Sequence, residues 1–407
     1  MSNSGNLREI DAYLESILSK GAIFRDRDAL RHDFVPSQLP HRDNELRRLG
    51  EVLAPMLRGS KASNALLYGK TGTGKTASVR LISKLMQDKA RERSVTFTEA
   101  YVNCRIEGTV YRVLARVAGA LGTQVPFTGL ATGEVLDRLV GALKRQPTNL
   151  LMVLDEVDVL VKEAGDALLY ELSRIGEYVP ISKVTMVVIS NDLSFKDYLD
   201  PRVLSTLNEE EIVFPPYSAD QLREILQVRA RIAFNDGVAP PAVIGLVAAL
   251  SASEHGDARR ALNLLRVAGE IAERRGASSV TTDDVQVAVR KIEEDHVFEV
   301  CRSLPLHSKI LLASIAMGAR KDEFPTSGEI YSDYVKHSSS LGVPDLTYRR
   351  VAMLLGELEM LGIVRSKIVN MGRHGRTRKL RLAVPSEPVL RALRADSIMV
   401  RLLEPGE

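Results

Sequence analysis

The run Gly69-Lys70-Thr71-Gly72-Thr73-Gly74-Lys75-Thr76 has the spacing G-x-x-x-x-G-K-[ST] of a phosphate loop. Glycines at 69, 72 and 74 let the backbone turn tightly and approach a ligand with no Cβ in the way. Successive N–H groups, including those of Lys70, Thr71, Thr73 and Ala77, and the start of the next helix then face an anion. Lys75 is placed to reach β and γ phosphates, and Thr76 to set its hydroxyl on Mg²⁺. About 80 residues later, Leu150 to Asp158 reads LLMVLDEVD. Here Asp155 suits a water-mediated hold on Mg²⁺, and Glu156 suits polarising an attacking water.

Elements must bring these groups together. Ala65 to Tyr68 reads as a buried strand before the loop, and Ala77 to Met86 as an amphipathic helix after it. The apolar run before Asp155 reads as a central strand whose carboxyl end carries the acids, where open α/β sheets bind ligands. A Gly/Thr-rich surface turn and a solvated acidic cap are the plain alternatives; the two motifs together argue against both. Lys183 to Ser190 is a further buried strand ending in Asn191. This residue either caps the next turn or hydrogen-bonds a water or the γ-phosphate. Thr96 to Asn103 and Glu211 to Phe214 complete a set of strands alternating with helices, the pattern of a parallel sheet covered on both faces.

The chain has 407 residues, 45% apolar and 26% charged, with a net charge of +3. That length allows two or three domains. No stretch approaches 18 uninterrupted apolar residues, which argues against a membrane span. The first residues lack the pattern of a signal peptide. Cys104 and Cys301 are far apart and lack metal spacing, so a reducing cytosol and no zinc site are expected.

Arg42 precedes an apolar helical pattern starting near Leu46; a solvated turn is the plain reading. Ser218 to Val297 reads as all helical. Arg259 and Arg260 stand in the first turn of a helix beginning at Asp257, where cations oppose the helix dipole unless an anion compensates, and a phosphate of bound nucleotide is the candidate. From about 300, three helices (Ser308–Ala319, Thr326–Lys336, Thr347–Leu361) precede two strands, a winged-helix pattern. Between Val364 and Leu382 lie seven Lys/Arg and no acid: Arg365, Lys367, Arg373, Arg376, Arg378, Lys379 and Arg381. A one-signed hairpin calls for a partner of opposite sign, and duplex DNA fits. The helix carrying Tyr348, Arg349 and Arg350 would then lie in the major groove or along the backbone. A solvated basic face or a protein-contact surface is the alternative.

Taken together, these residues resemble the archaeal initiator ATPases, relatives of the largest subunit of the eukaryotic origin recognition complex and of its partner helicase loader. The pieces carrying the resemblance are Val35-Pro36…Leu39-Pro40-His41-Arg42, the phosphate loop, LDEVD, VISND, LDPRV at 199 to 203, EIVFPPY at 211 to 217 and GDARRALNLLR at 256 to 266. The resemblance implies an α/β AAA+ P-loop domain with a parallel sheet, a helical lid and a C-terminal winged helix. Its expected bounds are 1–217 with an initiator-specific insertion at about 109–133, then 218–299 and 300–396.

By the same resemblance, Asn191 is the first sensor and Arg259 the second, while His41 and Arg42 lie near the adenine. Tyr217 joins the nucleotide-binding set. Arg202 lies where the family can present an arginine to a neighbouring subunit's ATP, although Val203 to Leu207 departs from the family's usual step. DNA contact is implied for the insertion, with Thr123 and Gln124, and for the wing, with His374 beside its basic residues. ATP/ADP and Mg²⁺ are the implied cofactors. Origin DNA, the replicative helicase and paralogous initiator subunits are the implied partners, in a cytoplasmic, nucleoid-associated protein. The implied activity is ATP-dependent origin recognition with slow ATP hydrolysis. A helicase-loading or regulatory paralogue and a winged-helix transcriptional regulator share many of these residues and stay open.

Overall fold

Alternating burial of two apolar rows makes the central sheet. In the computed structural model, which describes residues 23–31, 33–207, 209–318, 324–370 and 376–403, five strands form it: β1 Asn64–Tyr68, β2 Phe97–Asn103, β3 Asn149–Asp155, β4 Lys183–Ser190 and β5 Glu209–Val213. All pair in parallel, in the order β2-β3-β4-β1-β5. Leu151 and Val153 pack on one side with the helices Asp43–Leu53 and Lys75–Glu92. Leu150, Met152 and Leu154 pack on the other with Val110–Ala120, Thr132–Arg145, Val157–Ala164 and Ala167–Tyr178. Every residue of β3 is therefore buried, as a strand covered on both faces must be. The chain leaves the neighbours β1 and β4 toward opposite sides of the sheet, which opens a crevice at their carboxyl ends.

Contacts divide the chain into residues 1–285 and 286–407. The first unit continues past the sheet into the helices Ala219–Ala233, Pro241–Ser253 and Ala258–Arg274. Ser218 and Gln221 form a capping box at the start of the first. The helix Thr282–Ser303 carries the chain into the second unit, so the boundary expected at 299/300 falls inside one continuous helix.

In the second unit, Leu306–Gly318, Ser327–Ser340 and Tyr348–Met360 are the three anticipated helices. Gly362, at φ +70°, ends the third in the left-handed conformation that favours glycine. The strands β6 Val364–Asn370 and β7 Arg376–Leu382 form an antiparallel hairpin. Two helices absent from the sequence reading follow, Ser386–Arg394 and Ser397–Leu403, and bury Val389, Leu393 and Met399 in the same core. Among the described residues no helix is long and apolar enough to cross a membrane. The helix expected around Ile10, Leu14 and Leu18 lies outside the described residues.

Candidate nucleotide and nucleic-acid sites

The phosphate loop bends where its glycines require it. Gly72 and Gly74 have φ of +72° and +95°. A Cβ on Gly72 would sit 1.7 Å from the Asp257 carboxylate, and one on Gly74 would sit 2.8 Å from the Tyr217 hydroxyl. The loop thus packs directly on the lid, where the Ala258 N–H also donates to the Gly72 carbonyl at 3.2 Å. Lys75 opens the next helix and is only 4% exposed. Its ammonium donates to the carbonyls of Gly69 and Lys70 at 2.7 and 2.8 Å. Burial pushes its pKa down to about 8, against the pull of Asp155.

Asp155 collects the donors of the site. Thr76 Oγ1 and the Tyr101 hydroxyl both donate to its Oδ2, at 2.8 and 2.7 Å, and the Glu156 N–H donates to Oδ1 at 2.9 Å. Burial and this carboxylate push the Tyr101 phenol up to about 12. The Arg80 guanidinium lies 4.8 Å from the Tyr101 ring centre. Glu156 has φ +54°, a sparsely populated conformation for a residue with a Cβ and one that recurs at functional sites. It starts the helix Val157–Ala164 directly, and its carboxylate lies 3.6 Å from Arg105.

A cleft of about 440 Å³ gathers Gly72 to Ala77, Asp155, Glu156, Asn191, Tyr217 and Arg259. The Asn191 N–H donates to Asp158 at 3.2 Å. Asp257 caps the first turn around Arg259 and Arg260, accepting from their N–H groups at 2.7 and 3.2 Å. This carboxylate supplies the anion that two cations at a helix start require. Arg260 then pairs with Glu254, and the Arg259 side chain lines the cleft.

Several other expected site residues stand outside the cleft wall. Gly69 is buried against Phe214, and Lys70 and Thr71 face outward; none of the three lines the cleft. His41 and Arg42 do not line it either. Arg42 is 1% exposed; it donates to the Thr73 and Pro215 carbonyls at 2.8 and 2.6 Å and stacks 3.9 Å from the Tyr217 ring centre. It braces the loop from behind, because a fully buried guanidinium must spend its donors on protein carbonyls. His41 Nε2 lies 2.9 Å from Glu224. Arg202 pairs with Asp200 at 3.1 Å, and its side chain is 83% exposed and outside its own cleft.

In the second unit the hairpin register sets Arg365 opposite Arg381 and Lys367 opposite Lys379. Like charges directly opposite one another are destabilising, and Arg365, Lys367 and Arg381 are exposed. Arg378 departs from the free basic row: Glu359, from the preceding helix, forms an ion pair with it, so the lack of acid within the hairpin sequence does not carry over to the fold. Arg349 and Arg350 are exposed at the start of their helix. Tyr348 is half exposed, with its hydroxyl 3.1 Å from that of Ser327. Arg373, His374 and the Arg376 side chain lie outside the described residues. In the segment expected as an insertion, Val110–Ala120 buries Val113, Leu114, Val117 and Ala118 in the core. Residues 121–131 form the connection beyond it, with Gln124 exposed, Thr123 partly so, and Phe127 77% exposed beneath Arg112.

Sequence reading missed Tyr101, Arg80, Asn103 and Arg105 on the sheet side, and Phe34, Ile225, Val228, Arg229 and Leu262 on the arm and lid side. Tyr101 and Asn103 had a usable signal, since alternate residues at the carboxyl end of β2 share one face. The arm and lid residues had none, because they meet only after folding.

Comparison with known proteins agrees with this architecture. Residues 38–189 match the AAA ATPase domain model, 223–290 the Cdc6 AAA+ ATPase-type lid domain, and 299–392 the CDC6 C-terminal winged helix domain. An ORC1-type DNA replication protein 1 of Sulfolobus acidocaldarius is 49% identical over 385 residues, covering 95% of this chain and 96% of its own. One of Aeropyrum pernix is 51% identical over 383 residues, covering 94% and 97%. A solved structure of the Aeropyrum pernix ORC1 protein in complex with DNA matches with a TM-score of 0.82 at 51% identity, covering 93% of this chain and 99% of that one. With identity of this degree sustained along nearly its whole length, the chain belongs to the Cdc6/ORC1-type family of DNA replication proteins with an AAA ATPase domain.

Proposed function

We propose that the chain is a DNA replication initiator that binds and slowly hydrolyses ATP, recognises duplex origin DNA, and in the ATP state recruits the replicative helicase. The observation that carries this reading is the convergence of Lys75, Thr76, Asp155, Glu156, Asn191 and Arg259 on one cleft, in a chain whose C-terminal unit bears a one-signed hairpin.

Each side chain has a role that its surroundings support. Lys75 and the loop N–H groups hold the phosphates. Thr76 commits its proton to Asp155, which leaves its lone pairs for a cation. Hydroxyl and carboxylate oxygens are the hard donors that suit Mg²⁺. Thr76 and Asp155 would hold Mg²⁺, which would supply positive charge against that developing on the phosphates. Glu156 orients water and accepts its proton, Asn191 holds the water or the γ-phosphate, and Arg259 reports the phosphates to the lid. Arg202, outside its own cleft, is available to a neighbouring copy or a paralogous subunit.

Lys/Arg–phosphate contacts supply most of the DNA affinity, together with a strong salt dependence. Arg365, Lys367, Arg373, Arg376 and Arg381 of the wing provide them, with Arg349 and Arg350 on the helix and the 121–131 segment as further contacts. An anionic partner relieves the like-charge pairs of the hairpin. The relative solved in complex with DNA belongs to the same family and supports DNA binding by this chain.

Turnover and duplex binding, measured on one preparation of the full chain, test the reading. Lys75→Ala is expected to weaken ATP binding, and Glu156→Gln to retain ATP binding and stop hydrolysis. Undiminished hydrolysis by Glu156→Gln would remove Glu156 from the water-activating role.

A further inference from the structure

One buried cation in the cleft has no part in the phosphate chemistry. Arg229, on the helix Ala219–Ala233, is 4% exposed and lines the cleft beside Phe34, Ile225, Val228 and Leu262. Its guanidinium lies 4.3 Å from the Phe34 ring centre, and Nη2 donates to the Arg31 carbonyl at 3.2 Å. Its Nε is buried and has no hydrogen-bond partner among the described residues. No carboxylate lies within ion-pair distance of it among those residues. The charged neighbour acting on Arg229 is Asp26, whereas Lys75 feels Asp155, Arg259, Asp158 and Asp257. The two cations therefore serve different parts of the cleft.

A guanidinium has five donors and no acceptor, and leaving a buried donor unmade is costly. An apolar side chain of similar size would avoid that cost. The donor set instead faces a compartment whose walls are apolar and aromatic, the composition that takes a planar ring.

We propose that Arg229 anchors the base of the bound nucleotide, donating to a ring nitrogen of the purine while Phe34 holds the N-terminal arm over it. This rests on reading the cleft as a nucleotide site. A donor-only group cannot pair with the exocyclic amine of adenine, so the contact must fall on a ring nitrogen. Arg229, rather than His41 or Arg42, is then the charged residue that meets the base.

The test is equilibrium binding of ATP and of inorganic tripolyphosphate to the full chain and to Arg229→Met and Arg229→Lys. Losing one charge-assisted hydrogen bond predicts a fall in ATP affinity of roughly 10- to 100-fold, with tripolyphosphate binding unchanged in both variants. In the unmodified chain, one of 1-deaza-, 3-deaza- and 7-deaza-ATP should show the same loss, and Arg229→Met should bind that analogue and ATP equally. Unchanged ATP affinity in Arg229→Met would overturn the proposal. So would an equal fall for ATP and tripolyphosphate, which would make Arg229 only a clamp between arm and lid. Melting without nucleotide identifies a variant that fails to fold, and Arg229→Lys, which keeps the charge, must then show the ATP-selective loss for the proposal to stand. If the unmodified chain bound tripolyphosphate no more weakly than ATP, the proposal would fall while the phosphate loop stood. If it bound neither, the nucleotide reading itself would fall.

Discussion

Lys75 is a cation held out of water, and its titration should report on ligand binding. Its pKa falls from 10.5 to about 8 through burial. Between those values the unfolded chain keeps the proton and the folded chain does not. The stability of the nucleotide-free protein should therefore rise as pH rises through that window. A bound triphosphate restores the charged form, so binding near pH 9 should take up close to one proton. Calorimetry in buffers of different ionisation enthalpy measures this, and no uptake would mean that Lys75 is already charged in the free site. Residue-level chemistry was the most legible part of the sequence, because the phosphate loop and LDEVD are contiguous runs whose spacing encodes their geometry. Tyr101 and Arg229 were not legible: their partners, Asp155 and Phe34, lie 54 and 195 residues away and are reached only through the fold.

At the scale of elements, the loop is braced rather than free. Arg42→Ala would leave the Thr73 and Pro215 carbonyls without a buried donor, a loss of about 1–3 kcal/mol for each group. A lowered midpoint in denaturant would show it, and an unchanged midpoint would mean that water replaces the guanidinium. β1, β3 and β4 were legible as short apolar runs, whereas the edge strands β2 and β5 mix polar with apolar residues, and β5 starts at Glu209 rather than at the expected Glu211. Several helices were not legible. Val157–Ala164 follows β3 with no Gly or Pro between, because Glu156 itself makes the left-handed turn. Pro201–Leu207 starts on a proline and contains Val203, Ser205 and Thr206, a composition read more easily as loop. The last two helices are short and amphipathic, and only packing onto the winged-helix core makes them stable.

At the scale of the whole molecule, the nucleotide cleft and the basic hairpin belong to separately packed parts of one chain, and on the proposed reading charge decides what the hairpin binds. Arg365→Ala with Lys367→Ala should lower duplex affinity and flatten its salt slope by about 1 per lost phosphate contact. Glu359→Gln should act in the opposite sense: it releases Arg378 from its ion pair and should steepen the slope by about 1. An unchanged slope in both variants would move the DNA surface away from the hairpin. The basic row was legible in the sequence, but its neutralisation at Arg378 was not, since Glu359 sits on a different element.

The central claim, a nucleotide-governed initiator that selects its own DNA sites, is tested most directly by footprinting. Duplex fragments spanning the source genome would be probed with and without ATP at one fixed salt concentration near physiological. The account predicts discrete, repeated, oriented protections at one or a few loci, dependent on ATP and lost when the wing charges are removed. Uniform binding across all fragments would contradict it, leaving an ATPase that acts on DNA chosen by another protein.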